Sequence, residues 1–323
     1  MCSVGKRNQA STVVAVEADR ALQRSKRNCL DEVPVVNPAE GCLFGCLFCG
    51  TKLKTGQVRI KSNLPALLEK ELQKREQKGN LPQAVVFNTA TDSFQPIEEL
   101  LSVTHDCMQI VLKKEMELHF ITRGNVPDSF SRLFKRHGDK IHAQVSFLTM
   151  DDNLSLLYEP SAAGPQARLE TVRNLKAWGV NVRGRIDPLI PFLTDTVGHM
   201  EELLRYLSSA GITHCLAAYL VLRPHILEKF EKALPDSHFH LIKGSFKGQA
   251  WRKVGINQMT KLLPERTRSK GYERLLNIAR RLDVKVGVCA CDDPTHGSSC
   301  FSRSYVDSEQ HSVPNGQLNL FMG

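Results

Sequence analysis

The segment NPAEGCLFGCLFCG at 37–50 crowds three of the chain's ten cysteines, Cys42, Cys46 and Cys49, into eight positions, with glycine at 41, 45 and 50. Their spacing is C-x3-C-x2-C, directly after a short apolar run, VPVVN at 33–37. In a reducing compartment such a cluster points to metal binding or catalysis rather than to disulfides. That compartment is the expected one, because the opening stretch MCSVGKRNQASTVVAVEADR has no apolar core of the signal-peptide kind. The longest apolar run, CLAAYLVL at 215–222, is far too short to span a bilayer, so a cytoplasmic protein without a membrane segment is expected. Thiolates are the usual ligands of iron–sulfur clusters, and the glycines let the loop turn tightly enough to aim all three inward. A structural zinc site wants four protein ligands, and no fourth cysteine or histidine lies close in sequence. Three thiolates on a four-iron cluster leave one iron open to an outside ligand. The isolated Cys2, Cys29, Cys107 and Cys215 read as ordinary buried or incidental thiols.

Downstream of position 33, short apolar runs alternate with amphipathic stretches, the pattern of a parallel sheet built from β-α units. The strand candidates are 33–37, 84–89, 117–122, 142–149, 180–186 and 214–222. One helix pattern starts at Leu64 and aligns Leu67, Leu68 and Leu72. A second aligns Leu169, Val172 and Leu175, and a third Met200, Leu203, Leu204 and Leu207. Gly179 and Gly211 stand where helix C-caps belong. Six units predict an α/β fold, a partial (β/α)6 barrel of the TIM type, since a closed eight-stranded barrel needs ~250 residues. Four regions follow: a basic arm at 1–31 with RSKRN, the barrel at 32–235, an extension at 236–302, and a flexible polar tail at 303–323.

The cysteine spacing, the aromatic Phe48 before the last cysteine and the placement after strand one resemble the radical SAM superfamily. The resemblance implies a [4Fe-4S] cluster on Cys42, Cys46 and Cys49, with S-adenosylmethionine on the open iron. It also implies cleavage of that cofactor to a 5'-deoxyadenosyl radical and an electron donor such as flavodoxin or ferredoxin. Across roughly 30–225 the chain resembles the spore photoproduct lyase and DNA-repair-photolyase-like branch. The matching pieces are VRIKSNLPALLEKEL (58–72), TATDSFQPIEEL (89–100), FITRGN (120–125), VSFLTMDD (145–152) and the long stretch 158–195. Relatives show Thr-Asp-Pro-Tyr-Gln-Pro in the second piece. Here Ser93 and Phe94 replace Pro-Tyr, while Thr91, Asp92, Gln95 and Pro96 are kept.

Carried over by position, Thr91 and Asp92 would hold the cofactor's cationic amino group, Arg123 its carboxylate, and Ser146 would add a hydrogen bond. The plainer reading of Asp92 and Ser146 is an ordinary strand-end cap. Arg183, Arg185 and Asp187 are candidate substrate contacts, or a solvated salt-bridge cluster. The lyase returns hydrogen through a cysteine just before that Asp, with a tyrosine right after the last cluster cysteine. This chain has Thr89 and Ala90 at the first place and Gly50 at the second. The scaffold resembles the lyase, and the reaction need not.

A second cysteine group, VCACDDPTHGSSCF, brings Cys289, Cys291 and Cys300 near His296, with turn formers Asp292, Asp293, Pro294 and Gly297 between them. It could hold zinc or an auxiliary iron–sulfur cluster, or one thiol could serve as hydrogen donor, or the thiols could share no ligand. The stretch QLNLF, Gln317, Leu318, Asn319, Leu320 and Phe321, resembles the pentapeptide that docks bacterial repair and replication proteins into the sliding clamp. The net charge of +9, from 43 Lys and Arg against 34 Asp and Glu, suits a polyanionic partner. Nucleic acid is therefore the expected substrate class. A tRNA, peptide or metabolite substrate stays open, as does a non-catalytic Fe–S or zinc module recruited to the clamp.

Overall fold

The computed structural model describes residues 12–25, 30, 33–51, 57–254, 258–289 and 293. Among them are seven parallel strands: β1 (Pro34–Val36), β2 (Ala84–Phe87), β3 (Glu117–Thr122), β4 (Ile141–Phe147), β5 (Asn181–Leu189), β6 (His214–Tyr219) and β7 (Lys285–Val288). They form one sheet in the order β7-β6-β5-β4-β3-β2-β1, with the two-residue strand Gln23–Arg24 antiparallel on the β1 edge. All six sequence-expected strands are present within a few residues of their expected limits, because each is a short β-branched or aromatic run that the sheet buries on both faces.

The crossovers are helical: α1 (Leu64–Gln77), α2 (Glu98–Lys113), α3 (Ser131–His137), α4 (Asp152–Tyr158), α5 (Pro165–Ala177), α6 (Val197–Ser209), α7 (Pro224–Ala233), α8 (Asp236–Ser245) and α9 (Glu265–Arg281). The apolar stripes face inward as the periodicity predicts. Leu64, Leu68 and Leu72 are buried on α1, with Leu67 half-buried beside them. Leu169, Val172 and Leu175 are buried on α5, and Met200, Leu203, Leu204 and Leu207 on α6. Gly179 and Gly211 follow the α5 and α6 C-caps with φ of +83° and +82°. Cys107 and Cys215 are buried in the core as plain apolar side chains.

Two features lie beyond the periodic pattern. The sheet continues past residue 235, because the extension returns through α9, which packs on α6, and lays β7 against the open edge of β6. KVGV is too short, and too interrupted by glycine, to stand out as a strand in the sequence. Within the expected arm, Thr12–Val16 pairs in parallel with Gln57–Lys61, which also pairs antiparallel with Ala39–Glu40. The run TVVAV supplies β-branched residues in an otherwise polar segment. None of the helices among the described residues is long and apolar enough to cross a membrane.

Candidate active site

Parallel strands deliver their C-terminal ends to one mouth, and the loops there are where barrel chemistry sits. The cysteine loop leaves β1 at that mouth. Asn37 ties it to β2: its Oδ1 accepts the Thr89 and Ala90 N–H groups, both at 3.1 Å. Gln95 then clamps the loop itself. Its Oε1 accepts Leu43 N–H at 2.7 Å, and its Nε2 donates to the Asp92 carbonyl at 2.7 Å and the Gly41 carbonyl at 3.3 Å. Thr91 Oγ1 donates to the Ala39 carbonyl at 3.0 Å. Gly41 has φ +92°, and a Cβ there would collide with the Gln57 carbonyl, so only glycine fits. On the far side, Leu47 N–H donates to the Tyr158 carbonyl at 2.9 Å and Ser161 N–H to the Phe44 carbonyl at 3.1 Å.

The loop's end is held from α7. Arg223 Nη1 donates to the Gly50 carbonyl, and His225 Nε2 lies 3.2 Å from the Cys49 carbonyl oxygen. A Cβ at position 50 would sit 2.7 Å from Arg223 Cζ. The absence of a tyrosine after the last cysteine therefore has a structural counterpart: the Arg223 guanidinium fills that space.

The Cys49 thiol acts electrostatically on Cys42 and Cys46, and Cys42 acts on Cys46. Burial, then the neighbouring Asp92, pushes the Cys42 thiol up to about 12. Burial, then Glu159, raises Cys46, with Arg123 opposing. A bound metal removes this penalty by deprotonating a coordinating thiol outright. Three soft thiolate donors on one loop suit an iron–sulfur cluster.

Asp92 is buried, and both carboxylate oxygens are engaged. Oδ1 accepts Phe94 N–H at 2.9 Å, Oδ2 accepts Arg123 N–H at 2.8 Å, and Thr122 Oγ1 donates to both at 3.0 and 2.9 Å. Burial raises its pKa, while these donors lower it. Asp92 thus organises the β2 and β3 ends beside Cys42, as an acceptor of N–H groups. Arg123 reaches from β3 across the mouth. Its guanidinium lies 4.9 Å over the Phe48 ring, Nη1 is 2.8 Å from Glu159 Oε1, and Nη2 is 2.5 Å from the Asp187 carbonyl oxygen. Ser146 is buried on β4, and its carbonyl accepts Arg168 Nη1 at 2.9 Å.

Glu159 and Arg168 are the residues that the sequence reading did not single out. The Glu159 carboxylate is fully buried and joins both guanidinia, with Arg168 Nη2 at 2.8 Å from Oε2. The only signal was their place inside the family-like stretch 158–195.

The strand alternation places the substrate candidates. A Cβ on Gly184 would meet Cys215 Sγ at 2.8 Å and the α6 residue Leu207, so Gly184 faces the helices. Arg183 and Arg185 therefore face the barrel lumen. Arg185 gathers three partners: Nε to Asp187 Oδ2 at 2.7 Å, Nη1 to Gln144 Oε1 at 3.3 Å, and Nη2 to Cys289 Sγ at 3.5 Å. The structure thus brings Arg185, Asp187 and the buried Cys289 together. Cys291, His296 and Cys300 lie outside the described residues, as do Cys2, Cys29 and Gln317, Leu318, Leu320 and Phe321.

A parallel partial barrel with three clustered thiols at the carboxyl end of its first strand has the form of a protein built around a sulfur-ligated cluster. The Radical SAM superfamily profile matches residues 36–207, more than half of the chain, and the chain belongs to the radical SAM superfamily. That family implies a [4Fe-4S] cluster and S-adenosylmethionine, and the thiol set fits the cluster. An uncharacterized protein of Mycobacterium tuberculosis is 26% identical over 222 residues, 64% of each chain, so this chain spans less than two thirds of that relative's length. A protein of Pseudomonas phage M6 named radical SAM Nalpha-GlyT isomerase is 24% identical over 199 residues, 60% of this chain and 41% of that one. The fold is that of spore photoproduct lyase: a structure of that enzyme complexed with dinucleoside spore photoproduct superposes with a TM-score of 0.66. The identity is 13%, over 86% of this chain and 82% of the other.

Proposed function

We propose that the chain is a radical S-adenosylmethionine enzyme acting on nucleic acid, as a lyase-like DNA repair or modification enzyme of the cytoplasm. Cys42, Cys46 and Cys49 would hold the [4Fe-4S] cluster, charged by a donor such as flavodoxin or ferredoxin. When bound, S-adenosylmethionine would supply the radical chemistry, hydrogen-atom abstraction from the substrate. In this reading Arg123 would meet the cofactor's carboxylate, Thr91 and Asp92 would face its amino group, and Ser146 would add a hydrogen bond. Cys289 sits in the lumen beside Arg185 and is the thiol that could stand in for the one missing at Thr89 and Ala90.

The observation that supports the substrate half is the net charge of +9 together with two lumen-facing arginines, Arg183 and Arg185, the latter paired with Asp187. A base within a duplex would have to be extruded to reach this lumen. Phe192, in the loop after β5 at the same mouth, fits that task. It is 62% exposed with φ +63°, while Ile190, Thr194 and Asp195 around it are buried. Its N–H donates to Asp195 Oδ1 at 2.6 Å, and Asp195 Oδ2 accepts Tyr219 OH at 2.8 Å. The turn holds Phe192 in the left-handed region and presents its ring to solvent.

Stacking of a base on such a ring contributes ~1–3 kcal/mol, or roughly 5- to 150-fold in Kd. Anisotropy titration of a single-stranded oligonucleotide should show Phe192→Ala weaker by that factor, with wild-type affinity falling as salt rises. An unchanged Kd removes Phe192 from the interface. Wild-type protein that fails to bind DNA at moderate salt removes the nucleic-acid reading and favours a peptide or metabolite. Recruitment through Gln317–Phe321 to the sliding clamp completes the proposal. Clamp pull-down should be abolished by alanine at Leu320 and Phe321, and unchanged capture excludes the partner.

A further inference from the structure

The opposite end of the barrel holds a second cluster of ligand-type side chains. His119 on β3 and His142 on β4 are direct cross-strand partners, and Glu117 stands two residues before His119 on the same strand face. These are the N-terminal ends of the strands, away from the cysteine loop. The two imidazoles lie parallel, with centroids 4.5 Å apart and planes 11° apart. His119 Nε2 is 3.4 Å from Glu117 Oε2, with the two side chains 13% and 19% exposed. One potential ligand atom from each of the three residues lies within 4.8 Å of the other two.

We infer that Glu117, His119 and His142 form a binding site for one divalent transition-metal ion, with zinc the best-fitting ion. Bonds of 2.0–2.1 Å to nitrogen and oxygen in a tetrahedron put neighbouring ligand atoms about 3.4 Å apart, and the Glu117–His119 pair already has that separation. His142 completes the set by turning its ring out of the stack, so that its nitrogen and that of His119 aim at one point. Two imidazoles and one carboxylate match zinc or cobalt rather than magnesium or calcium, which prefer all-oxygen shells. Three protein ligands leave a fourth position for water, and partial exposure leaves an entry path. The ion would staple β3 to β4 at the N-terminal ends of the strands. Arg183 lies close enough to act electrostatically on His119 and opposes a cation there. It sets an upper limit on affinity and provides an unusual control.

Equilibrium dialysis of zinc against full-length, cluster-loaded protein, with zinc X-ray absorption, reads the site without interference from iron. Wild type should bind one equivalent in a shell of nitrogen and oxygen near 2.0 Å, distinct from the sulfur shell near 2.3 Å that the cysteines would give. Variants His142→Ala and Glu117→Gln should lose that equivalent or bind it about tenfold or more weakly, with circular dichroism confirming that they fold. Arg183→Gln should bind severalfold more tightly, which loss of structure cannot mimic. A sulfur-only zinc shell, or nitrogen and oxygen binding unchanged in His142→Ala and Arg183→Gln, overturns the site.

Discussion

Glu159→Ala should destabilise the protein by about 3–5 kcal/mol, read as a lower urea midpoint at unchanged slope. The Glu159 side chain is fully buried and neutralises two guanidinia, Arg123 and Arg168. Removing it leaves two guanidinia without their shared carboxylate, bonded to the carbonyls of Asp187 for Arg123 and of Ala163 and Ser146 for Arg168. A domain of ordinary stability has only ~5–15 kcal/mol in hand, so the loss is a large fraction of it. Glu159→Gln keeps an acceptor and the shape, and should fall between wild type and alanine. The two guanidinia also sit under the sites proposed for cluster and cofactor. A change within about 0.5 kcal/mol for Glu159→Ala contradicts the ion-pair account.

Alanine at Cys42, Cys46 or Cys49 should remove cofactor cleavage to background and lower iron content, yet leave the cooperative unfolding transition in place. The loop's backbone is held by Gln95, by the Tyr158 carbonyl and by Arg223, none of which needs the sulfurs. Cys42 and Cys46 are also costly to ionise without metal, since burial raises both thiols. Neutral alanine at those positions is therefore tolerable to the fold. A module in which the cluster serves only to hold the chain together predicts the reverse, with Cys42→Ala unfolding the barrel. Iron analysis, 5'-deoxyadenosine assay and thermal melts on the three variants separate the two outcomes.

The cysteine loop, the six expected strands and the inward faces of α1, α5 and α6 were legible because each rests on local spacing. Three thiols in eight residues, alternating short apolar runs and leucines at helical intervals are all visible in one dimension. Residues whose importance is purely tertiary were not visible. Glu159 matters because Arg123 and Arg168 converge on it from 36 residues before and 9 after. The strand β7 exists because β6 offers an open edge, not because KVGV demands it. Asp92 was legible as a motif position, but its partners were not: two N–H groups and a threonine hydroxyl occupy its oxygens. Cys289 was visible only as part of a loosely spaced group, and its lumen address depends on β7. Gly50 gained meaning from Arg223, 173 residues away.

The most direct measurement is the formation of 5'-deoxyadenosine by wild-type protein reconstituted anaerobically with iron and sulfide, then given S-adenosylmethionine and a strong reductant. The account predicts 5'-deoxyadenosine and methionine in equal amounts, with cluster content checked by electron paramagnetic resonance. Fully cluster-loaded, folded protein that produces neither would contradict it.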